Sequence, residues 1–392
     1  MNSRVGLVAG EPSGDLIASQ VVRGLQVQMP GVEVAGIGGP ELENTGMDIW
    51  HPMDALSVFG YVDAIKNLPR LYRIFKDVES RLLKQPPAVF VGVDAPDFNL
   101  RLEHKLKQRG IATVHFVSPS IWAWRYERIH RIREAVTHML VLFPFELEIY
   151  EREGIPATYV GHPLADKIPM VSDKHAARGE LGIDPASDLI AILPGSRRSE
   201  IELMTPRFLA AAVKLQARDP NLEFVVPMVN PARRAQFDAL AKAFPLKNLH
   251  VRQASSLQTA VPISWQALGA CDFAMVASGT ATLEAALFKR PMVISYVLSP
   301  WMRRLMAWKS GQSGPSLPWV GLPNVLSQSF VVPELLQDDA TPQKLADASW
   351  ALLKDESQRL RIVKQFNSLH DTLRCDTASK ASDAIIEVMR QS

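Results

Sequence analysis

Short runs of β-branched and apolar residues recur along this chain, and helix-length periodic segments separate most of them. In the first half the runs are Val5–Ala9, Val32–Ile37, Ala88–Val93, Thr113–Val117 and His138–Phe143. Helical spacing covers Leu16–Gln28, Leu71–Leu83 and Phe98–Gln108. Near-continuous apolar strands are buried on both faces, and parallel strands need a crossover between them, so the pattern predicts a parallel sheet covered by helices. After Val160-Gly161-His162-Pro163 it restarts, with strands expected at Leu189–Leu193, Leu222–Val226, Leu249–Val251, Phe273–Ala277 and Pro291–Tyr296. Helices are expected at Ile201–Ala217, Ala232–Ala243 and Thr282–Lys289. The stretch Leu164–Ser187 carries little strand signal and reads as an inter-domain crossing. The expected fold class is α/β: two doubly wound, Rossmann-like domains facing each other across a cleft. The boundaries fall at residues 1–165 and 166–340, leaving 341–392 as C-terminal helices able to pack back on the first domain.

Composition narrows the function classes. Apolar residues at 47% and charged residues at 21% suit an ordinary globular protein with large cores. A formal charge of only +2 gives no global attraction to nucleic acid, and no such partner is expected. The two cysteines, Cys271 and Cys375, form no CxxC or Cys/His zinc spacing, so no metal site is expected. The N-terminus MNSRVGLVAG runs straight into the first strand pattern without a signal-peptide layout. No apolar run approaches the ~18 residues a membrane span needs. The longest, Met139–Phe145, is broken by Pro144. A cytoplasmic protein is expected, one still able to touch a membrane surface.

Ligands of open α/β sheets bind beyond the carboxyl ends of the strands, so the loops after strands are where chemistry is sought. The first loop, Gly10-Glu11-Pro12-Ser13-Gly14-Asp15, offers close backbone approach and free N–H groups to an oxygen-rich ligand. Equally, it is a tight turn with Ser13 or Asp15 capping a helix. It lacks the lysine of a P-loop and the spacing of a dinucleotide fingerprint. In the second loop, Gly92–Asn99, Asp97 stands where a helix N-cap belongs, while Asp94 lies at the strand tip and is the better general base. The third, Leu193-Pro194-Gly195-Ser196-Arg197-Arg198-Ser199-Glu200, brings a helix start, the Ser196 hydroxyl and the Arg197 guanidinium together, a recipe for a diphosphate. Glu200 is read as a local cap or pair. In the fourth, Ser278, Gly279 and Thr280 offer donors to phosphate, and Glu284 lies one turn further on the same helix face, placed to accept ribose hydroxyls. Together the four loops describe a nucleotide-diphosphate-sugar site, with the nucleotide on the second domain.

The segments VAGEPSGD (8–15), VFVGVDAPDFN (89–99), VSPSIWAWR (117–125), VGHPLAD (160–166), LPGSRRSEIE (193–202), VVPMVNPARR (225–234), ASGTATLE (277–284), LPNVL (322–326) and PELLQ (333–337) spread over nearly the whole chain. On them the sequence resembles the lipid A disaccharide synthases, inverting glycosyltransferases of the GT-B type. The resemblance implies UDP-2,3-diacylglucosamine as donor and 2,3-diacylglucosamine 1-phosphate as acceptor, with the β(1→6)-linked disaccharide 1-phosphate and UDP as products. Asp94 matches the family's base candidate, Arg197 the arginine expected on the diphosphate, and Glu284 the usual ribose position. Asn324 and Gln337 match further polar positions near the donor. Pro12 departs from the family, which has a small hydroxyl residue there. No Asp-x-Asp motif is present to hold Mg²⁺ on a diphosphate, and no cofactor is implied. Two other readings stay open: a UDP-N-acetylglucosamine epimerase, and a non-catalytic UDP-sugar or lipid-binding protein. A homodimer is carried as an expectation only.

Acylated substrates imply work at the inner face of the inner membrane. Val58-Phe59-Gly60-Tyr61-Val62 is apolar, and Ile65, Leu68, Leu71, Tyr72 and Phe75 recur beyond it among Lys66, Arg70, Arg73 and Lys76. An apolar stripe flanked by cations suits shallow insertion into an anionic surface, with Phe59, Leu68, Leu71 and Phe75 as contacts. The same stripe also reads as a helix packed on the core. Pro69 is expected to divide the segment into two short helices. A second, weaker candidate patch is Trp301–Lys309, and Trp122 and Trp124 are read either as core or as flanking the acceptor.

Overall fold

The computed structural model describes residues 3–56, 61–123, 126–253, 261–299, 302–304 and 317–391, with backbone alone for 61–67. The chain divides into two compact units, Met1–Asp166 with Leu373–Ser392, and Lys167–Thr372.

In the first unit the chain alternates β1 (Arg4–Ala9), α1 (Pro12–Gln28), β2 (Glu33–Gly38), α2 (Pro40–Glu43), β3 (Asp48–Pro52), α3 (Tyr61–Lys84), β4 (Val89–Val93), α4 (Pro96–Lys107), β5 (Ala112–Phe116), α5 (Ile129–Ala135), β6 (His138–Val141), α6 (Pro144–Arg152), β7 (Ala157–Tyr159) and α7 (Pro163–Lys167). The strands form one parallel sheet in the order β3-β2-β1-β4-β5-β6-β7. Every residue of β4 and β5 is buried, as the unbroken apolar runs require. Ile74, Val78 and Leu82 of α3 and Leu102 and Leu106 of α4 close over Val8, Ile37 and Phe90. Each such side chain contributes roughly 1.5–3 kcal/mol by burial.

This packing explains why α3 runs unbroken through Pro69. The expected division into two helices is not observed. Proline forfeits one backbone bond, but the buried stripe that follows outweighs that loss.

The second unit contains α8 (Lys174–Leu181), β8 (Leu189–Leu193), α9 (Arg198–Arg218), β9 (Glu223–Met228), α10 (Pro231–Ala241), β10 (Leu249–Gln253), α11 (Ile263–Ala270), β11 (Phe273–Ala277), α12 (Thr280–Leu287), β12 (Met292–Tyr296), α13 (Leu322–Ser327), β13 (Glu334–Leu336), α14 (Pro342–Lys354) and α15 (Glu356–Leu373). Its sheet is also parallel, in the order β10-β9-β8-β11-β12-β13. The final helix, α16 (Thr377–Gln391), belongs to the first unit and packs on α1. Its start is fixed by Asp166, whose carboxylate accepts the N–H groups of Cys375, Asp376 and Thr377 at 2.8–3.1 Å. Gly24 lets the two helices meet: a Cβ there would stand 2.3 Å from Ser382 Oγ.

Both sheets follow the doubly wound order 3-2-1-4-5-6, counted within each unit, with one further strand in the first. The order reverses between β1 and β4 in one sheet and between β8 and β11 in the other. Those four strands are the ones that feed the four loops singled out above.

Candidate active site

In the first unit the loops after β1 and β4 touch. A Cβ on Gly10 would come 3.0 Å from Ala95 Cβ, and one on Gly14 would make ordinary contact with Val93. Pro12 occupies the first turn of α1, where its missing N–H is harmless. Ser13 is exposed beside this junction. Asp15 is not: it is buried, and its carboxylate accepts from the N–H groups of Gly39 at 2.7 Å, Glu41 at 2.9 Å and Leu42 at 3.3 Å. The expected substrate contact at Asp15 is therefore replaced by a structural role. It caps α2, not its own helix.

Asp94 and Ala95 both adopt positive φ, 51° and 44°. This left-handed pair turns the chain so sharply that α4 begins at Pro96 with Ala95 as its cap residue. Asp97 is thus not the cap expected from sequence. Its side chain is 87% exposed and, among the described residues, pairs with Arg128 at 3.3 Å. Asp94 sits half-buried at the switch point of the sheet. The turn is held from below by the buried Asn99, whose Nδ2 donates to the Asp94 carbonyl at 2.8 Å and lies 3.3 and 3.4 Å from the carbonyls of Val8 and Val93. Two residues that the sequence reading passed over lie beneath it: Glu103 Oε1 is 2.8 Å from His115 Nδ1, both side chains fully buried.

The neighbouring strand ends carry an aromatic cluster. Trp122 donates its indole N–H to Glu146 at 3.2 Å and stands edge-on to Phe145. That gives Trp122 a packed position within this unit, while Trp124 lies outside the described residues. Burial pushes the Glu146 carboxyl up to about 7, against the pull of its bond from the Phe143 N–H. His162 stacks on Phe143, and burial lowers its imidazole to about 4.

In the second unit the loops after β8 and β11 leave adjacent strands, and the two differ. At the start of α9, Glu200 folds back so that one carboxylate oxygen accepts the N–H groups of both Ser196 and Arg197 at 3.0 Å. Gly195 has φ +109°, and a Cβ there would lie 2.5 Å from Glu200. Two backbone donors of this loop, the N–H groups of Ser196 and Arg197, are therefore already occupied by a resident carboxylate. The Arg197 side chain is 79% exposed, with Nη1 3.3 Å from Glu200. Tyr296 at the end of β12 lies close by, its phenol raised by burial and by the Glu200 charge. The start of α12 is different. Gly279 has no side-chain cap bond, and among the described residues nothing lies within 4 Å of where a Cβ would stand. Ser278 is half-buried and Thr280 exposed at the same helix start. Glu284 lies one turn on and is partly buried; burial raises its carboxyl, with Trp265 and Ser264 beside it pulling it back.

Asn324 is fully buried, and its amide is spent internally. Nδ2 donates to Val332 and Glu334 at 2.8 Å, and Oδ1 accepts from Val332 at 3.0 Å. Glu334 in turn accepts from the N–H groups of Val320 and Gly321, just ahead of α13. Asn324 is thus a clamp between α13 and β13, not the ligand contact expected. Gln337, at φ 51°, accepts from Leu298 N–H at 3.3 Å and ties the exits of β12 and β13 together.

Of the expected membrane contacts, Phe59 lies outside the described residues. Leu68 is 57% and Tyr72 63% exposed. Leu71 is half-buried, and Phe75 packs on the core and edge-on against Phe98 at 5.5 Å. Phe75 is therefore partly buried against the core, and less available to a surface than Leu68. Of the Trp301–Lys309 patch only Met302–Arg304 is described. No described helix is long and apolar enough to cross a membrane.

The family model for lipid-A-disaccharide synthetase matches residues 5–385. The lipid-A-disaccharide synthase of Bordetella pertussis is 61% identical over 388 residues, covering 99% of each chain. That of Paraburkholderia phytofirmans is 48% identical over 99% of this chain and 97% of its own. Among solved structures, the UDP-GlcNAc 2-epimerase of Neisseria meningitidis bound to UDP-GlcNAc superposes with TM-score 0.65 at 13% identity, over 99% of this chain and 100% of that one. The kitacinnamycin glycosyltransferase gives 0.60 at 14% identity, over 98% of both. These two share the fold: paired Rossmann-like domains, found in GT-B glycosyltransferases and epimerases alike. The sequence matches, running almost end to end, are specific: the chain belongs to the lipid-A-disaccharide synthase family.

Proposed function

We propose that the protein transfers a 2,3-diacylglucosaminyl group from its UDP derivative to the 6-hydroxyl of 2,3-diacylglucosamine 1-phosphate. The observation that carries this reading is the coincidence of the four chemistry-bearing loops with the two topological switch points. Asp94 takes the proton of the acceptor hydroxyl. The oxygen attacks the anomeric carbon, the carbon–oxygen bond to the diphosphate breaks, and UDP leaves with the electron pair. A single displacement inverts the centre and gives the β(1→6) link. In this reading the diphosphate binds at the start of α12, at Ser278, Gly279 and Thr280, a choice supported by Glu200 already accepting from the Ser196 and Arg197 N–H groups at the start of α9. Arg197 reaches it from the adjacent strand end, and Glu284 receives the ribose hydroxyls. Ser13 and Gly14 line the acceptor side beside Asp94.

The test is product analysis. Donor and acceptor in detergent with EDTA should yield disaccharide 1-phosphate and UDP in equal amounts. UDP release without acceptor, or epimer formation, would contradict the transferase reading, as would tight UDP-sugar binding with no turnover.

We also propose that the protein docks peripherally on the inner face of the inner membrane through α3. Leu68 and Tyr72 lie one turn apart and exposed, next to the exposed Arg70 and Arg73. Leu68→Ser with Tyr72→Ser should cut binding to vesicles containing anionic lipid several-fold while leaving the melting temperature unchanged. Unaltered vesicle binding would refute it.

A further inference from the structure

Glu103, His115 and Asn99 form a cluster that packing alone does not account for. Glu103 and His115 are both 0% exposed, and each keeps one side-chain atom, Oε2 and Nε2, without a hydrogen-bond partner among the described residues. The same holds for Asn99 Oδ1. Burying polar groups in this way costs stability, and an apolar trio of the same shape would pack better.

The cluster is built into the sheet. Asn99 and Glu103 are one turn apart on α4, and His115 on β5 is the register partner of Gly92 on β4. A Cβ on Gly92 would stand 2.2 Å from Glu103 Oε1 and 2.9 Å from Asn99 Cβ, so β4 carries glycine here to admit both side chains. Two residues beyond Gly92, just past the end of the strand, lies Asp94, at positive φ, with its carbonyl held by Asn99. Burial pushes the Glu103 carboxyl above its ordinary range, and His115 beside it pulls it back.

We propose that Asn99, Glu103 and His115 are positioning residues for Asp94: a buried polar bracket that seats α4 on β4 and β5 and fixes the left-handed turn carrying the carboxylate. None of the three needs to touch substrate. The inference rests on Asp94 being the base. A shift of about 1 Å at a catalytic group can cost on the order of 100-fold in rate, and the bracket is the set of contacts that prevents such a shift.

The experiment replaces the bracket by apolar residues, Glu103→Met with His115→Leu. Such a replacement is expected to keep or raise the melting temperature. It should lower kcat by on the order of 100-fold with KM for both substrates little changed. A folded double variant with wild-type kcat would overturn the proposal. Should that variant not fold, Glu103→Gln decides: a fall in kcat of about tenfold at unchanged melting temperature supports the bracket, and no fall overturns it. In an Asp94→Asn background the bracket substitutions should have no further effect on the residual rate, since they act through Asp94. Losses that simply multiply would mean a separate, structural role. If Asp94→Asn itself leaves activity intact, the base assignment fails; if only the bracket variants leave it intact, this inference alone fails.

Discussion

Glu146 offers a prediction whose size follows from its surroundings. Its carboxyl is buried at the start of α6, accepting from Phe143 N–H at 3.1 Å and from the Trp122 indole at 3.2 Å. Burial raises it from the ordinary 4.5 to about 7. Below the unfolded value the group is protonated in both states and costs nothing. As pH rises through the folded value the unfolded chain ionises more readily, so stability is lost across roughly pH 4.5–7. At about 1.36 kcal/mol per pH unit the loss is on the order of 3 kcal/mol. Glu146→Gln removes the ionisation but sets a donor against one of its partners, at about 1 kcal/mol. The variant should therefore be less stable than wild type by about 1 kcal/mol at pH 4.5 and more stable by about 2 kcal/mol at pH 8. His162, lowered to about 4 by burial, acts in the opposite sense, since its contribution is lost as pH falls. It cancels when the two proteins are compared at each pH. Urea unfolding followed by tryptophan fluorescence at a series of pH values reads the difference. A stability difference that does not change sign between pH 4.5 and 8 would refute the reasoning.

Gly195→Ala should lower stability by roughly 1–3 kcal/mol, because a Cβ at φ +109° meets Glu200 at 2.5 Å; it should also weaken UDP binding by calorimetry, and unaltered values for both would show the loop to be more yielding than its geometry implies. Asp15→Ala strands the N–H groups of Gly39, Glu41 and Leu42. It should cost about 3 kcal/mol in denaturant unfolding while leaving KM for both substrates unchanged; a raised KM for either with normal stability would return Asp15 to the binding site.

The central strands were legible because most of their positions are buried on both faces and therefore apolar. β8 and β11 match their expected ranges residue for residue, and the other central strands shift by one or two positions. The edge strands β3 (DIWHP), β7 (ATY) and β13 (ELL) were not, being short, half-exposed and compositionally mixed. The loops were legible as positions and less so as roles. A carboxylate in a glycine-rich loop looks the same on paper whether it faces a ligand or caps a neighbouring helix, and Asp15 does the latter. Asn324 likewise clamps its own chain. Asp97 looked like a cap because a left-handed Asp94-Ala95 pair, rare outside glycine, cannot be read from composition. Glu103 and His115 left one trace: a histidine inside the fully buried run ATVHF, opposite a glycine strand position.

The most direct test of the account compares Asp94→Asn with Asp97→Asn in a coupled assay of UDP release and disaccharide formation, each variant checked for wild-type melting temperature. The account predicts that Asp94→Asn lowers kcat by roughly 10²–10⁴-fold with donor binding intact, and that Asp97→Asn, on an exposed side chain, changes it less than tenfold. Full activity in Asp94→Asn, or a collapse confined to Asp97→Asn, would contradict it.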